Sequence, residues 1–143
     1  MLKFVCCPVE EKETIIIFWV FRMNINEHWG KSVAINLYDC DIEKITTKKI
    51  IVDFFHAIIP EIGMIAHGPL HIERFGLETK HPGPGYSAMQ FIETSSITLH
   101  CDEPGRRCFI DIFSCKDFDV SHAVSFTKKF FKAKREQSFA LDR

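Results

Sequence analysis

A polar interruption, Thr94-Ser95-Ser96, breaks an otherwise apolar, strand-like stretch that reads Ala88-Met89-Gln90-Phe91-Ile92-Glu93 before it and Ile97-Thr98-Leu99-His100 after it. A serine at such a break is either solvated turn polarity or a backbone position built for chemistry. His100 lies five positions downstream of Ser95, Ser87 eight upstream and Cys115 twenty downstream, at the end of the next strand-like run. Three chemistries use these residue types. A hydrolytic triad needs Ser95 or Cys115 oriented by a histidine and a carboxylate, but no G-x-S-x-G elbow is present. Zinc needs His100, Cys101, Cys108 and Cys115 to converge. Their spacing has no tight knuckle, and Cys108 and Cys115 point to opposite faces of one strand, so no metal is expected.

The third chemistry uses the backbone at Ser95. In a strained turn that excludes solvent, its hydroxyl can attack the Thr94 carbonyl and turn the amide into an ester. Loss of the serine α-proton eliminates the ester, and the dehydroalanine hydrolyses to a pyruvoyl group on a new amino terminus. That ketone can condense with a substrate amine and accept electrons as a carboxylate leaves. An acid must then return a proton, a task that suits the Cys115 thiol.

The elements that must position these residues follow from periodicity. Ser32 to Tyr38 reads as a strand with Val33, Ile35 and Leu37 on one face. Asp39 and Asp41 supply caps for a helix with the stripe Ile51, Phe54, Phe55, Ile58 and Ile62, ended by Pro60 and Gly63. Met64 to Ile72 reads as a strand weakened by Gly68-Pro69, and Gly76 to Gly85 as a loop punctuated by Pro82-Gly83-Pro84. Strands over 86–93, 96–101 and 108–115 follow, with a turn at Asp102-Glu103-Pro104-Gly105. Asp119 or Ser121 caps a second helix whose last turns are basic, and 136–141 closes as a strand. The order β-α-β-β-β-β-α-β predicts an α+β two-layer sandwich, an antiparallel sheet with two helices packed on one face.

Composition sets the outer bounds. The 143 residues make one domain, and 46% apolar content supports a core. Net charge is −1 and the pI is near 6.6, which argues against a general nucleic-acid or anionic-membrane surface. Six scattered cysteines without a CxxC pair or a signal pattern read as reduced thiols in the cytoplasm. The run Thr14 to Phe21 is too short to span a bilayer, follows acidic residues, and reads as a buried or pairing strand.

Around the break the chain resembles the small bacterial and archaeal S-adenosylmethionine decarboxylases. Their core segment runs approximately E-S-H-(I/L)-(S/T)-I-H and then (A/V)-D-(V/L/I)-F-(T/S)-C. Here it is Thr94-Ser95-Ser96-Ile97-Thr98-Leu99-His100, then Ile110-Asp111-Ile112-Phe113-Ser114-Cys115. Gly30 to Asp41, Arg74-Phe75 and Phe130 to Arg135 are also similar to family segments, so the likeness covers residues 30–143 and leaves 1–29 as an amino-terminal extension of unknown role.

The resemblance implies a proenzyme that cuts itself before Ser95, a covalent pyruvoyl cofactor derived from Ser95, and decarboxylation of S-adenosylmethionine to the aminopropyl donor of spermidine synthesis. By position, His100 would assist ester elimination, Ser87 would serve processing, and Cys115 would be the proton donor. Phe75 would stack on adenine, and Glu103 would contact the ribose. Relatives form homodimers with sites near the interface, so a homodimer is expected here. The sequence departs from the family pattern at three places. Thr94 stands where the family has glutamate, Ser96 where the small enzymes have histidine, and the Gly76 to Gly85 loop is longer. These departures keep two alternatives open: an unprocessed binding or regulatory homologue, and a pyruvoyl enzyme acting on ornithine or arginine.

Overall fold

The structure, a computed structural model, describes residues 29–78 and 83–143. The expected strand over Thr14 to Phe21 lies outside the described residues, as does all of the amino-terminal extension except Trp29.

The alternation of β1 (Lys31–Tyr38) sends Val33, Ile35 and Leu37 into the core. Asp41 caps α1 (Ile42–Thr46) by accepting from the Glu43 N–H at 3.1 Å. Where the sequence predicts one helix there are two. Thr47 takes an extended conformation (φ −104°, ψ 110°) and separates α1 from α2 (Lys48–Glu61). Consecutive β-branched threonines at 46 and 47 favour that extended backbone. Asp39 is not a cap but sits in the left-handed region at φ 55°. The α2 stripe Ile51, Phe54, Phe55 and Ile58 is buried as its spacing predicts.

Four strands follow in meander order: β2 (Ala66–Phe75), β3 (Gly85–Ile92), β4 (Ser95–Asp102) and β5 (Arg107–Ser114). Gly68, at φ 69°, and Pro69 make an irregularity in β2 rather than ending it. The buried Gln90 side chain donates to the His67 and Gly68 carbonyls there, at 3.1 and 3.2 Å, and so satisfies acceptors the ladder leaves open. Asp119 caps α3 (Val120–Phe130) through the His122 N–H, and β6 (Arg135–Asp142) ends the chain.

The six strands form one antiparallel sheet in the order β2-β3-β4-β5-β1-β6. Its inner face (Ile97, Leu99, Ile110, Ile112 and the β1 residues) packs on the helices, where Phe54 meets Phe55, Phe130 and Phe131 at ring-centroid distances of 5.6, 5.3 and 4.8 Å. The α+β two-layer sandwich is the predicted one, with three helices in place of two. The outer face carries Met89, Phe91, Thr98, His100, Phe109, Asp111 and Phe113, partly or largely exposed, and no described helix covers it. Among the described residues no helix is long and apolar enough to cross a membrane.

Candidate functional site

Strands β3 and β4 are joined by a two-residue turn, Glu93-Thr94, with Ile92 paired to Ser95. Such turns usually place glycine or asparagine at positive φ. Here Thr94, a β-branched residue, is held at φ 59°. That conformation costs on the order of 1–3 kcal/mol and persists only when its surroundings enforce it. The strain sits on the residue whose carbonyl belongs to the Thr94-Ser95 peptide bond.

Two hydrogen bonds from Cys115 frame that bond. The Cys115 N–H donates to Ser95 Oγ at 2.9 Å, and the Cys115 thiol donates to the Thr94 carbonyl at 3.0 Å. One residue therefore holds the Ser95 hydroxyl oxygen and polarises the adjoining Thr94 carbonyl. Cys115 is placed by the end of β5, and Gly30 allows the chain to pass close by: a Cβ there would meet the Ser114 carbonyl oxygen at 2.8 Å and the Cys115 Cα at 3.4 Å. A cavity of about 720 Å³ opens beside the turn, lined by Phe91, Thr94, Ser95, Ser96 and Phe113 among others. Trp29, 66% exposed, stacks on Phe113 at 6.1 Å between ring centroids.

The other expected residues gather elsewhere. Ser87 and His100 are cross-strand partners, and Ser87 Oγ lies 2.8 Å from His100 Nδ1. They line a second cavity, of about 410 Å³, with Phe75, His71, Glu73 and Asp111. Phe75 is 56% exposed. Its neighbour Arg74 pairs with Glu103 Oε2 at 2.7 Å and lies over the Tyr86 ring at 5.2 Å. The Glu103 side chain is only 10% exposed, yet its second oxygen, Oε1, has no protein partner. A buried carboxylate oxygen left without a donor is a ready acceptor for a ligand hydroxyl.

The sequence motif thus separates into two clusters. Ser95 and Cys115 stand at one end of β4; His100, Ser87, Phe75 and Glu103 stand towards the other. Five residues of strand span about 16 Å, and His100 projects on the outer face, whereas Ser95 has the parity of the buried Ile97 and Leu99. Within one chain, His100 does not reach the Ser95 hydroxyl.

The remaining described cysteines stand apart from this site. Cys40, Cys101 and Cys108 lie in the core, where burial pushes the Cys40 thiol up to about 12 and raises Cys108 as well. Cys101 and Cys108 face each other across β4 and β5 with their sulfurs 3.7 Å apart, remote from the Cys115 sulfur that sits by Thr94. Among the described residues no group of side chains could hold a metal ion. Glu73 and His71 are cavity residues that the spacing argument passed over. Their signal was the alternation in His71-Ile72-Glu73-Arg74-Phe75, which puts both on the face of Phe75.

Comparison with known proteins agrees with this architecture. A family model described as S-adenosylmethionine decarboxylase matches residues 31–143. The fold is similar to the crystal structure of the adenosylmethionine decarboxylase from Aquifex aeolicus VF5, with a TM-score of 0.67 and 18% sequence identity, covering 82% of this chain and 92% of that one. At that identity the likeness carries the fold.

Proposed function

The chain belongs to the S-adenosylmethionine decarboxylase family, and from that premise we propose that it is a self-processing, pyruvoyl-dependent decarboxylase of S-adenosylmethionine. The observation that carries the reading is the framing of a strained Thr94 by both donors of Cys115. The residues fit a serine-derived pyruvoyl group: the hydroxyl is fixed, the adjoining carbonyl is polarised, and the turn stores strain that the acyl shift releases. Once formed, that group supplies a carbonyl that draws electrons from a bound amino acid as carbon dioxide departs.

The chain's own residues do the rest. Ser95 Oγ attacks the Thr94 carbonyl carbon, and the thiol of Cys115 supports charge on the oxygen. The Thr94–Ser95 C–N bond then breaks, leaving the Thr94 acyl group as an ester on Oγ and a Ser95 amine that takes up the hydroxyl proton. The Ser95 α-proton must then leave as the Thr94 carboxylate is released, which requires a base. His100 suits this chemistry, but in its own chain it is about 16 Å away along β4. A symmetric homodimer through the outer sheet faces, with its twofold axis running across the strands, removes the difficulty, because that isologous contact sets one end of each face against the other end of its mate. His100 of the partner subunit and Ser87 of the partner subunit would then complete the site at Ser95. The apolar outer face, with Phe91, Phe113 and Met89, supports that contact. After processing, Cys115 returns the proton to the decarboxylated substrate. Phe75 stacks on the adenine, the free oxygen of Glu103 receives a ribose hydroxyl, and the product feeds spermidine synthesis.

Intact-mass measurement on purified protein tests the proposal. Cutting before Ser95 gives fragments of 94 and 49 residues from the 143; release of carbon dioxide from carboxyl-labelled S-adenosylmethionine should accompany it. A chain that stays whole and is silent towards S-adenosylmethionine sinks the reading. An uncut chain would favour a second one, a regulatory homologue, for which the motivating feature is Thr94 itself: its hydroxyl turns back to the Glu93 carbonyl at 2.7 Å and offers no charge to the scissile bond.

A further inference from the structure

The geometry points to Glu73 as a positioning residue that sets the tautomer of His100 through the hydroxyl of Ser87. In register, Glu73 of β2 is paired with Ser87 of β3, and Ser87 with His100 of β4, so the three form one row across the outer face. All three line the same cavity. Among the described residues Ser87 Oγ has its one side-chain hydrogen bond to His100, but residues directly opposed in an antiparallel pair have Cβ atoms about 4.5–5.5 Å apart, so a change of rotamer brings the Glu73 carboxylate to the Ser87 hydroxyl. Among the described residues, the Glu73 carboxylate makes no ion pair.

A serine hydroxyl has one proton to give. If it is given to the Glu73 carboxylate, Ser87 Oγ can only accept from His100, and the 2.8 Å contact must be Nδ1–H donating to Oγ. Nε2 then carries the lone pair and is the ring atom free to take a proton. Without the carboxylate, Ser87 can donate to Nδ1 instead, which puts the ring proton on Nε2 and removes the base. The other groups facing His100 are His71 from β2, and Phe109 and Asp111 from β5. None of them shares the Glu73–Ser87–His100 row except Phe109, which has no acceptor to offer.

This assignment rests on the self-processing reading for the use made of His100, but the proposed link from Glu73 through Ser87 to His100 can be tested without any turnover. The measurement is the ring-nitrogen NMR spectrum of His100 in the uncut Ser95→Ala protein above pH 8, with His100→Gln to assign the signals. Neutral His100 should be protonated on Nδ1. Adding Glu73→Ala should move the population towards Nε2–H, while Glu73→Asp, which retains an acceptor, should largely preserve Nδ1–H. In chains that keep Ser95, Glu73→Ala should slow cutting by roughly tenfold, about 1.4 kcal/mol in barrier, and should have no effect once Ser87 is alanine. An unchanged tautomer in Glu73→Ala overturns the proposal, as does a tautomer that moves while cutting keeps its rate. If no Ser95-containing chain is cut, the self-processing reading fails by itself and the spectrum alone decides the role of Glu73.

Discussion

At the scale of single residues, the proposed self-processing draws on Thr94 and Cys115 in different ways. Thr94 contributes backbone strain. Replacing it with glycine, which adopts φ 59° freely, should stabilise the uncut Ser95→Ala protein by up to about 1 kcal/mol and slow cutting in the chain that keeps Ser95. Thermal unfolding and a time course by mass spectrometry read the two effects. Cys115 contributes a donor to the Thr94 carbonyl. Cys115→Ala should slow cutting by about 10²–10³-fold, the usual loss for one oxyanion donor, whereas Cys115→Ser keeps an O–H and should lose less. An alanine variant cut at the normal rate would remove the thiol from processing. The other described thiols lie buried with Cys40 and Cys108 shifted upward, so mild alkylation at neutral pH should label Cys115 ahead of Cys40, Cys101 and Cys108. Peptide mapping checks the order.

At the scale of elements, the helices matter because they hold the inner face of β4 and β5 in register. Phe54 is the centre of the aromatic cluster that joins α2 to the end of α3. Phe54→Ala should cost about 3–5 kcal/mol, a large part of the stability of a small domain, and denaturant midpoints measure it. The start of α1 is tied to the chain beyond α3 by Asp41, which accepts from Lys132 at 3.0 Å and from the Glu43 N–H. The Lys132 hydrogen bond chiefly, then the Glu43 N–H and the charge of Lys132, lower the Asp41 carboxyl below its usual range. A folded-state pKa below the unfolded one stabilises the fold above the unfolded value near 4, and that contribution is lost as pH falls through the lowered folded value. Urea midpoints should therefore fall on acidification below about pH 4, and Asp41→Asn should flatten that fall. An identical acid slope in both proteins would assign the loss to other carboxylates.

At the scale of the whole molecule, the separation of the two clusters along β4 gives a decisive complementation test. Ser95→Ala alone and His100→Ala alone should each stay uncut. Co-expressed, they should form mixed dimers in which the His100→Ala chain, which keeps Ser95, is cut because the partner subunit's His100 reaches it. Mass spectrometry identifies which chain is cleaved; at most half of the His100→Ala chains need be cut if pairing is random. Absence of cutting in demonstrably mixed dimers would show that the two clusters do not meet across the sheet faces. Placing a charge at Phe113, on that face and beside the turn, should weaken both association and cutting.

The alternation of β1, β4 and β5 and the 3.6-residue stripe of α2 were legible in the sequence, because hydrophobic spacing alone dictates which face is buried. The motif around Ser95 was legible too, since its spacing depends only on strand pairing through short turns. The break at Thr47 was not, because a single extended residue leaves the apolar stripe of α2 intact. Nor was the positive φ of Thr94: a β-branched residue has no local preference for that region, and only the closed hairpin and the two Cys115 hydrogen bonds impose it. Nor was the separation of Ser95 from His100, which five positions of sequence do not reveal. Residue types, spacing and faces are local properties that the chain itself determines; which of those residues meet is decided by the tertiary structure, because an extended strand carries five residues about 16 Å and returns only through its partners.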